Sequence, residues 1–162
     1  MVAMARYTVD AEAVQAESRM VALQTAVALL RLIEAYREMF GSDVDRLMIL
    51  LAVGAITAER PVKAAASPEH YVRFGVPIPS EDMTRCTALS IAAATGLPRE
   101  TARRKTKQMI DDGVLRRDAH VGIRVNEQIL QSPEFRALVQ RHAGEIARLA
   151  NALIERGVFV ES

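Results

Sequence analysis

Residues 99–107 read Arg-Glu-Thr-Ala-Arg-Arg-Lys-Thr-Lys, a spacing suited to contacting an ordered array of anions. On an α-helix, at about 100° per residue, Arg104 points almost opposite a stripe of Ala102, Thr106, Met109 and Ile110. Glu100, Lys107 and Gln108 lie beside Arg104, with Arg103 and Lys105 on the flanks. A guanidinium can pair bidentately with guanine, a glutamate can accept from cytosine, and the remaining cations can hold phosphates. Arg99, Glu100, Thr101, Arg103, Arg104 and Lys107 are therefore the candidate major-groove set. From Arg99 to Arg117 seven basic residues stand against three acidic ones, a local +4 in a chain of formal net charge +1. The positive charge is concentrated where such a helix needs it.

These side chains need elements to position them, and residues 84–125 supply them in order. Leu89 to Thr95 reads as a short helix with apolar positions at Leu89, Ile91, Ala92 and Thr95. Gly96 supplies the positive φ that ends it, Leu97 returns an apolar side chain to the core, and Pro98 sits where a new helix starts. The second helix is expected from Pro98 to about Asp112, closed by Asp112-Gly113. Val114 to Asp118 and Gly122 to Val125 then flank a turn around Asp118 to Val121, giving two short strands with a polar tip. Arg116, Arg117, His120 and Arg124 on this hairpin are candidates for phosphate or minor-groove contact; solvated charges on an ordinary hairpin fit equally well.

Ala92, Gly96, Leu97 and Ala102 match the small, turn, apolar and apolar positions of bacterial helix-turn-helix units. The run from Gly96 to Arg104 resembles the recognition-helix start of winged helix-turn-helix repressors of the GntR and MarR kinds. Met109-Ile110-Asp111-Asp112-Gly113-Val114-Leu115 is similar to the helix exit and first wing strand of those proteins. The motif covers about 40 of the 162 residues, and the flanking helices fit by layout. One departure stands out: the positions of Lys105 and Thr106 are usually apolar or small in such helices. The resemblance implies DNA binding, and it permits a small-molecule effector without requiring one.

A chain of 162 residues, alanine-rich, without tryptophan, suits one domain of closely packed helices. Val9 or Asp10 to Phe40 reads as one long helix, with residues 1–8 as a mobile arm. Ala22, Ala26, Leu29, Ile33, Tyr36 and Phe40 form one apolar stripe on it, and Met20, Leu23, Val27 and Leu30 a second. Two stripes need two partners: the chain's own core and a second copy of the chain. After Gly41, Ser42-Asp43 caps a helix from Val44 to about Arg60 that is apolar nearly all round, with Leu47, Leu50, Leu51, Gly54 and Ala55 among its apolar residues. Residues 61–83, broken by Pro61, Pro68, Pro77 and Pro79, read as a surface loop with a helical turn or two starting at Ser67-Pro68-Glu69. Ser132-Pro133-Glu134 starts a last helix that runs to about Arg156. Phe135, Leu138, His142, Ile146, Leu149 and Leu153 form its stripe, widened by Val139, Ala150 and Ile154. At roughly 36 Å it has more apolar edge than a small winged unit covers.

Other chemistries find little support. His70, His120 and His142 lack the helical spacing of a metal site. Cys86 is the only cysteine, which excludes an internal disulfide and favours a buried apolar role over a redox one. No glycine-rich phosphate loop or nucleophile–base pair is present, so neither an enzyme nor a cofactor is expected. Neither apolar stretch reads as a membrane span, nor the first residues as a signal peptide, so a soluble cytoplasmic protein is expected.

The expected fold is mainly α, a winged helix-turn-helix with long N- and C-terminal helices and a small two-stranded β wing. It forms a single domain over 1–162, in which helices 9–40 and 132–157 serve dimerisation and 42–130 is the DNA-binding core. The expected function is that of a homodimeric, sequence-specific regulator that binds double-stranded DNA, two recognition helices lying about one DNA turn apart. A different class remains: a winged-helix protein-interaction module, whose arginine-rich face meets an acidic protein. A third reading adds an effector of unknown identity, bound in a crevice near the 61–83 loop. Selective enrichment of one DNA sequence separates the first reading from the second.

Overall fold

The structure, a computed structural model, describes residues 6–60 and 76–162. It is mainly helical, with two small antiparallel pairs of strands among the described residues. In order these are β1 (Tyr7–Val9), α1 (Ala11–Ala16), α2 (Ser18–Phe40), α3 (Val44–Thr57), a 3-10 turn (Ser80–Asp82), α4 (Ala88–Thr95) and α5 (Arg99–Asp111). Then follow β2 (Leu115–Asp118), β3 (Gly122–Val125), α6 (Glu127–Leu130), α7 (Pro133–Glu155) and β4 (Phe159–Glu161). The chain divides into two compact units, one of Met1–Glu38 with Ala137–Ser162 and one of Met39–Arg136. The helical turn expected at Ser67-Pro68-Glu69 lies outside the described residues, as does most of the expected loop.

In the first unit the terminal segments pair. Tyr7, Thr8 and Val9 lie opposite Glu161, Val160 and Phe159, so Tyr7 and Thr8 belong to a strand rather than a free arm; residues 1–5 of the expected arm lie outside the described residues. The Asp10 carboxylate caps α1 by accepting from the amides of Glu12 and Ala13. The expected single helix breaks at Glu17, whose carboxylate receives Arg156 at 2.6 Å.

Helices α2 and α7 meet along an inward line that differs from the expected stripes. On α2 the buried residues are Ala28 and Ala35, with Gln24 partly covered, while Leu23, Val27, Leu29 and Leu30 stay exposed. Small residues take the inward line, and the bulky stripes are turned aside. On α7, Leu138, Glu145 and Leu153 are buried and Ile146 is exposed. Glu145 takes the inward place expected of Ile146 because it is paired, with Arg148 at 2.7 Å and Arg31 at 3.4 Å. Arg141 ties α7 to Glu38 on α2 at 2.5 Å.

His142 packs its ring on Tyr36, centroids 4.5 Å apart. Its Nε2 is buried without a partner, and burial holds its pKa below the ordinary histidine value. A neutral folded imidazole that charges in the unfolded chain contributes stability above the unfolded pKa of about 6.5, and this is lost as pH falls below it. Melting temperature is therefore expected to drop on acidification from pH 7 to 5, and His142→Phe to flatten that drop. An unchanged profile in the variant would show that the ring does not carry the effect.

The second unit is organised around α3, whose N-cap Asp43 accepts from the amides of Asp45 and Arg46. Leu47, Ile49, Leu50, Ala52, Val53 and Thr57 are buried, but Val44, Met48 and Leu51 remain exposed, so burial on every side is not reached. Helix α4 starts at Thr87 with a reciprocal Thr87–Ser90 capping box and ends at Gly96, φ +70°. Ile91 and Ala92 are buried as expected, whereas Leu89 is exposed. Helix α5 buries Ala102, Thr106 and Met109. Its stripe packs against α3 and α4, which fixes the direction of the opposite face.

The departure at Lys105 has a physical explanation. Its ammonium, mostly covered, reaches back to Asp43 at 2.5 Å and Asp45 at 3.1 Å at the start of α3. Arg46 on α3 pairs in turn with Asp112 at the end of α5, at 2.7 Å. The hydrogen bond from Lys105 holds the Asp43 carboxyl below its usual range, and Asp43 holds the Lys105 ammonium above its own. The lysine clamps two helices where an apolar residue would pack them.

Candidate nucleic-acid interface

The outer face of α5 and the hairpin beside it carry the residues that the sequence singles out. Pro98 precedes α5 with φ −54°, and Glu100 stands in its first turn, where the helix dipole favours an anion. Arg99, Arg103, Arg104 and Lys107 are exposed, with Thr101 partly covered. Arg103 donates twice to Glu100, at 2.9 and 2.7 Å, and Lys107 pairs with Asp111 at 2.8 Å. Both pairs are solvated and worth little to stability, so an incoming anion can displace them cheaply. Arg103 holds the Glu100 carboxyl below its ordinary value. Arg99 and Arg104 make no ion pair with any described residue.

The hairpin is pinned before it presents anything. Leu115 to Asp118 lie opposite Val125 to Gly122, which sets Arg116 across from Arg124. Two like charges in that position repel. Glu127 at the start of α6 answers both, bonding Arg116 at 3.1 Å and Arg124 more closely still. Arg124 also reaches Ser80 at 3.1 Å and Asp118 at 3.5 Å, and it is 3 % exposed. Arg124 is thus not available to an external phosphate; the fold uses it internally, and it leaves the candidate set. Short helix α6 and the Ser80 turn, both absent from the sequence reading, are what bury it.

Asp118 shapes the tip. Its carboxylate accepts from the amides of Val121 and His120 at 3.0 and 2.9 Å and from the Ser80 hydroxyl at 2.9 Å. These bonds, with Arg124 nearby, hold its pKa far below the usual aspartate range. Arg116, Arg117 and His120 remain on the exposed surface.

A third strand-like contact joins hairpin to helix pair. Cys86 donates its amide to Val121 at 2.7 Å and accepts from Ile123 at 3.0 Å, forming a parallel bridge with Gly122. Gly122 has φ +84°, and a Cβ there would stand 2.5 Å from the Cys86 carbonyl oxygen. The bridge sets Arg85 and Thr87 beside the hairpin, and neither residue was in the expected set. The only signal in the sequence was their place just before α4. Cys86 itself is buried, and burial pushes its thiol pKa up, which suits an inert packing residue rather than a reactive one.

No group of histidine, cysteine and carboxylate side chains among the described residues is arranged to hold a metal ion. No described helix is long and apolar enough to cross a membrane. In comparisons with protein-family models, curated proteins and solved structures, nothing matches the chain.

Proposed function

We propose that the chain is a sequence-specific, DNA-binding transcriptional regulator of the winged helix-turn-helix kind, acting as a homodimer in the cytoplasm. One observation carries the reading. Helix α5 is anchored on its inner face by Ala102, Thr106, Met109 and the Lys105 clamp, and it turns four cations outward beside a hairpin that carries Arg116, Arg117 and His120. A rigid helix with a solvated arginine face is what a major groove accepts. Arg104 and Arg99, which make no ion pair with any described residue, are the base-reading candidates; Arg103, Lys107 and the hairpin cations are suited to phosphates.

The dimer rests on the first unit. From Met20 to Leu30 helix α2 carries no charge, and such a segment wants cover on several sides. Yet Leu30 is 67 % exposed, and on α7 so is Ile146 at 58 %. Between the two helices lies a cavity of about 320 Å³ lined by apolar Met20, Leu23, Val27, Leu149 and Ala152 among others. A second copy would bury these stripes in a two-fold bundle. Leu30→Lys, a change at an exposed site, is expected to turn a dimer into a folded monomer in sedimentation. A monomeric wild-type chain would remove the two-fold arrangement.

The function is tested by titrating the chain against random-sequence duplex DNA over a range of salt. Binding should weaken log-linearly with salt, at a slope of roughly −0.9 per phosphate neutralised. Absence of duplex binding at low salt would overturn the reading and favour an acidic protein as the partner of the α5 face.

A further inference from the structure

Beside the exposed face of α5 lies a second feature that base reading does not use. A cavity of about 250 Å³ opens between α5, the start of α4 and the hairpin. Four cations line it, Arg85, Arg103, Lys107 and Arg117, and no carboxylate does. Arg85 and Arg117 make no ion pair with any described residue, so their guanidinium groups are uncommitted. The amino end of α4 contributes Thr87 and Ala88 to the lining, and the positive end of a helix dipole adds to the field of the cations. Thr106 lines the cavity too, 3 % exposed, its hydroxyl buried without a hydrogen-bond partner. A buried hydroxyl left unpaired costs stability unless something answers it. An anion in the cavity would give the Thr106 hydroxyl that partner.

The shape is held, not incidental. The Cys86–Gly122 bridge brings Arg85 to the hairpin, and the Asp118 bonds fix the turn that precedes Gly122. Glu100 and Asp111 hold Arg103 and Lys107 in weak, solvated pairs, so an entering anion meets Arg85 and Arg117, which have no ion pair with any described residue, and can draw the other two cations over at little cost.

We propose that this cavity is a phosphate site, with Arg85 and Arg117 as its principal ligands and Arg103 and Lys107 closing over the anion from α5. Arginine suits the task because its planar fork pairs bidentately with phosphate oxygens. Under the proposed function the phosphate belongs to the duplex backbone, next to the bases that α5 reads. It then sets the register of the helix in the groove without reading sequence. The same chemistry would accept a phosphorylated small molecule. The cavity stands on its own geometry, while its assignment to DNA rests on the reading above.

The test uses the full chain and an Arg85→Gln/Arg117→Gln double variant, both changes lying on the exposed surface. Amide NMR spectra are recorded on titration with inorganic phosphate at constant ionic strength, and duplex affinity is measured over a range of salt. Saturable shifts at Thr87, Ala88 and Gly122 are expected in the wild type and not in the variant. The variant should also lose about one from the slope of log affinity against log salt, the share of a single phosphate, with base preference unchanged. If phosphate binds and competes with duplex, the backbone assignment holds. If phosphate binds while duplex affinity and salt slope are the same in both chains, the DNA source is overturned and a free phosphorylated ligand takes its place. A wild type that binds phosphate but no duplex would defeat the regulator reading and leave the site. Diffuse shifts that never saturate, or shifts equal in both chains, would overturn the site itself.

Discussion

Replacing Gly122 with alanine is expected to destabilise the chain by about 3 kcal/mol, the largest single-residue effect we anticipate. Two costs combine. The residue sits at φ +84°, where a Cβ is strained, and the added carbon would stand 2.5 Å from the Cys86 carbonyl oxygen. That oxygen is a backbone atom, engaged by the Ile123 amide, so it cannot simply swing aside. Gly96 is the natural comparison, because its φ is +70° but nothing lies within 4 Å of the position a Cβ would take. Gly96→Ala should therefore cost only about 1 kcal/mol, the strain alone. Urea unfolding of the two variants separates the terms. Equal losses would mean that the hairpin shifts freely away from Cys86, and the Arg85 side of the phosphate cavity would then be loosely defined.

The second large effect is functional. Arg104→Ala should weaken binding to a preferred duplex by about 1–3 kcal/mol, and the preference should relax at one base position. The side chain is exposed and makes no ion pair with any described residue, so unfolding stability should hardly change. Mutant affinity measured on single-base variants of the preferred duplex is the check. Weakening by the same factor on every variant would reassign Arg104 to a phosphate. Base reading would then fall to Arg99, the other arginine on the α5 face that makes no ion pair with any described residue.

The part of the fold that was legible in the sequence is the part governed by local rules. The 3.6-residue stripe on α5, Gly96 at the turn, and Gly113 after the helix placed α5 and both hairpin strands to within a residue or so. Ser132-Pro133 likewise marked the start of α7. What stayed hidden depends on residues far apart in the chain. Arg124 looks like any surface arginine until Ser80 and Glu127 are brought around it. Lys105 looks like part of a solvated basic face until Asp43, 62 positions earlier, meets its ammonium. Pairing of β1 with β4 joins opposite ends of the sequence, and its short strands carry no pattern that foretells it. On α2 the period was visible but its phase was not. A helix with two apolar stripes does not reveal which side faces in, and Ala28 and Ala35, which belong to neither stripe, took the inward line.

The candidate site shows the same division. Arg99, Glu100, Thr101, Arg103, Arg104, Lys107, Arg116, Arg117 and His120 could be named from one helix face and one hairpin. Arg85 and Thr87 join them only through the Cys86–Gly122 bridge, a tertiary contact.

The most direct test of the account is selection of binding sites from a random duplex library by the full chain at near-physiological salt. A dimer that reads DNA through α5 should enrich an inverted repeat with half-sites about ten base pairs apart. Weak, salt-sensitive binding with no sequence enriched would contradict sequence-specific recognition.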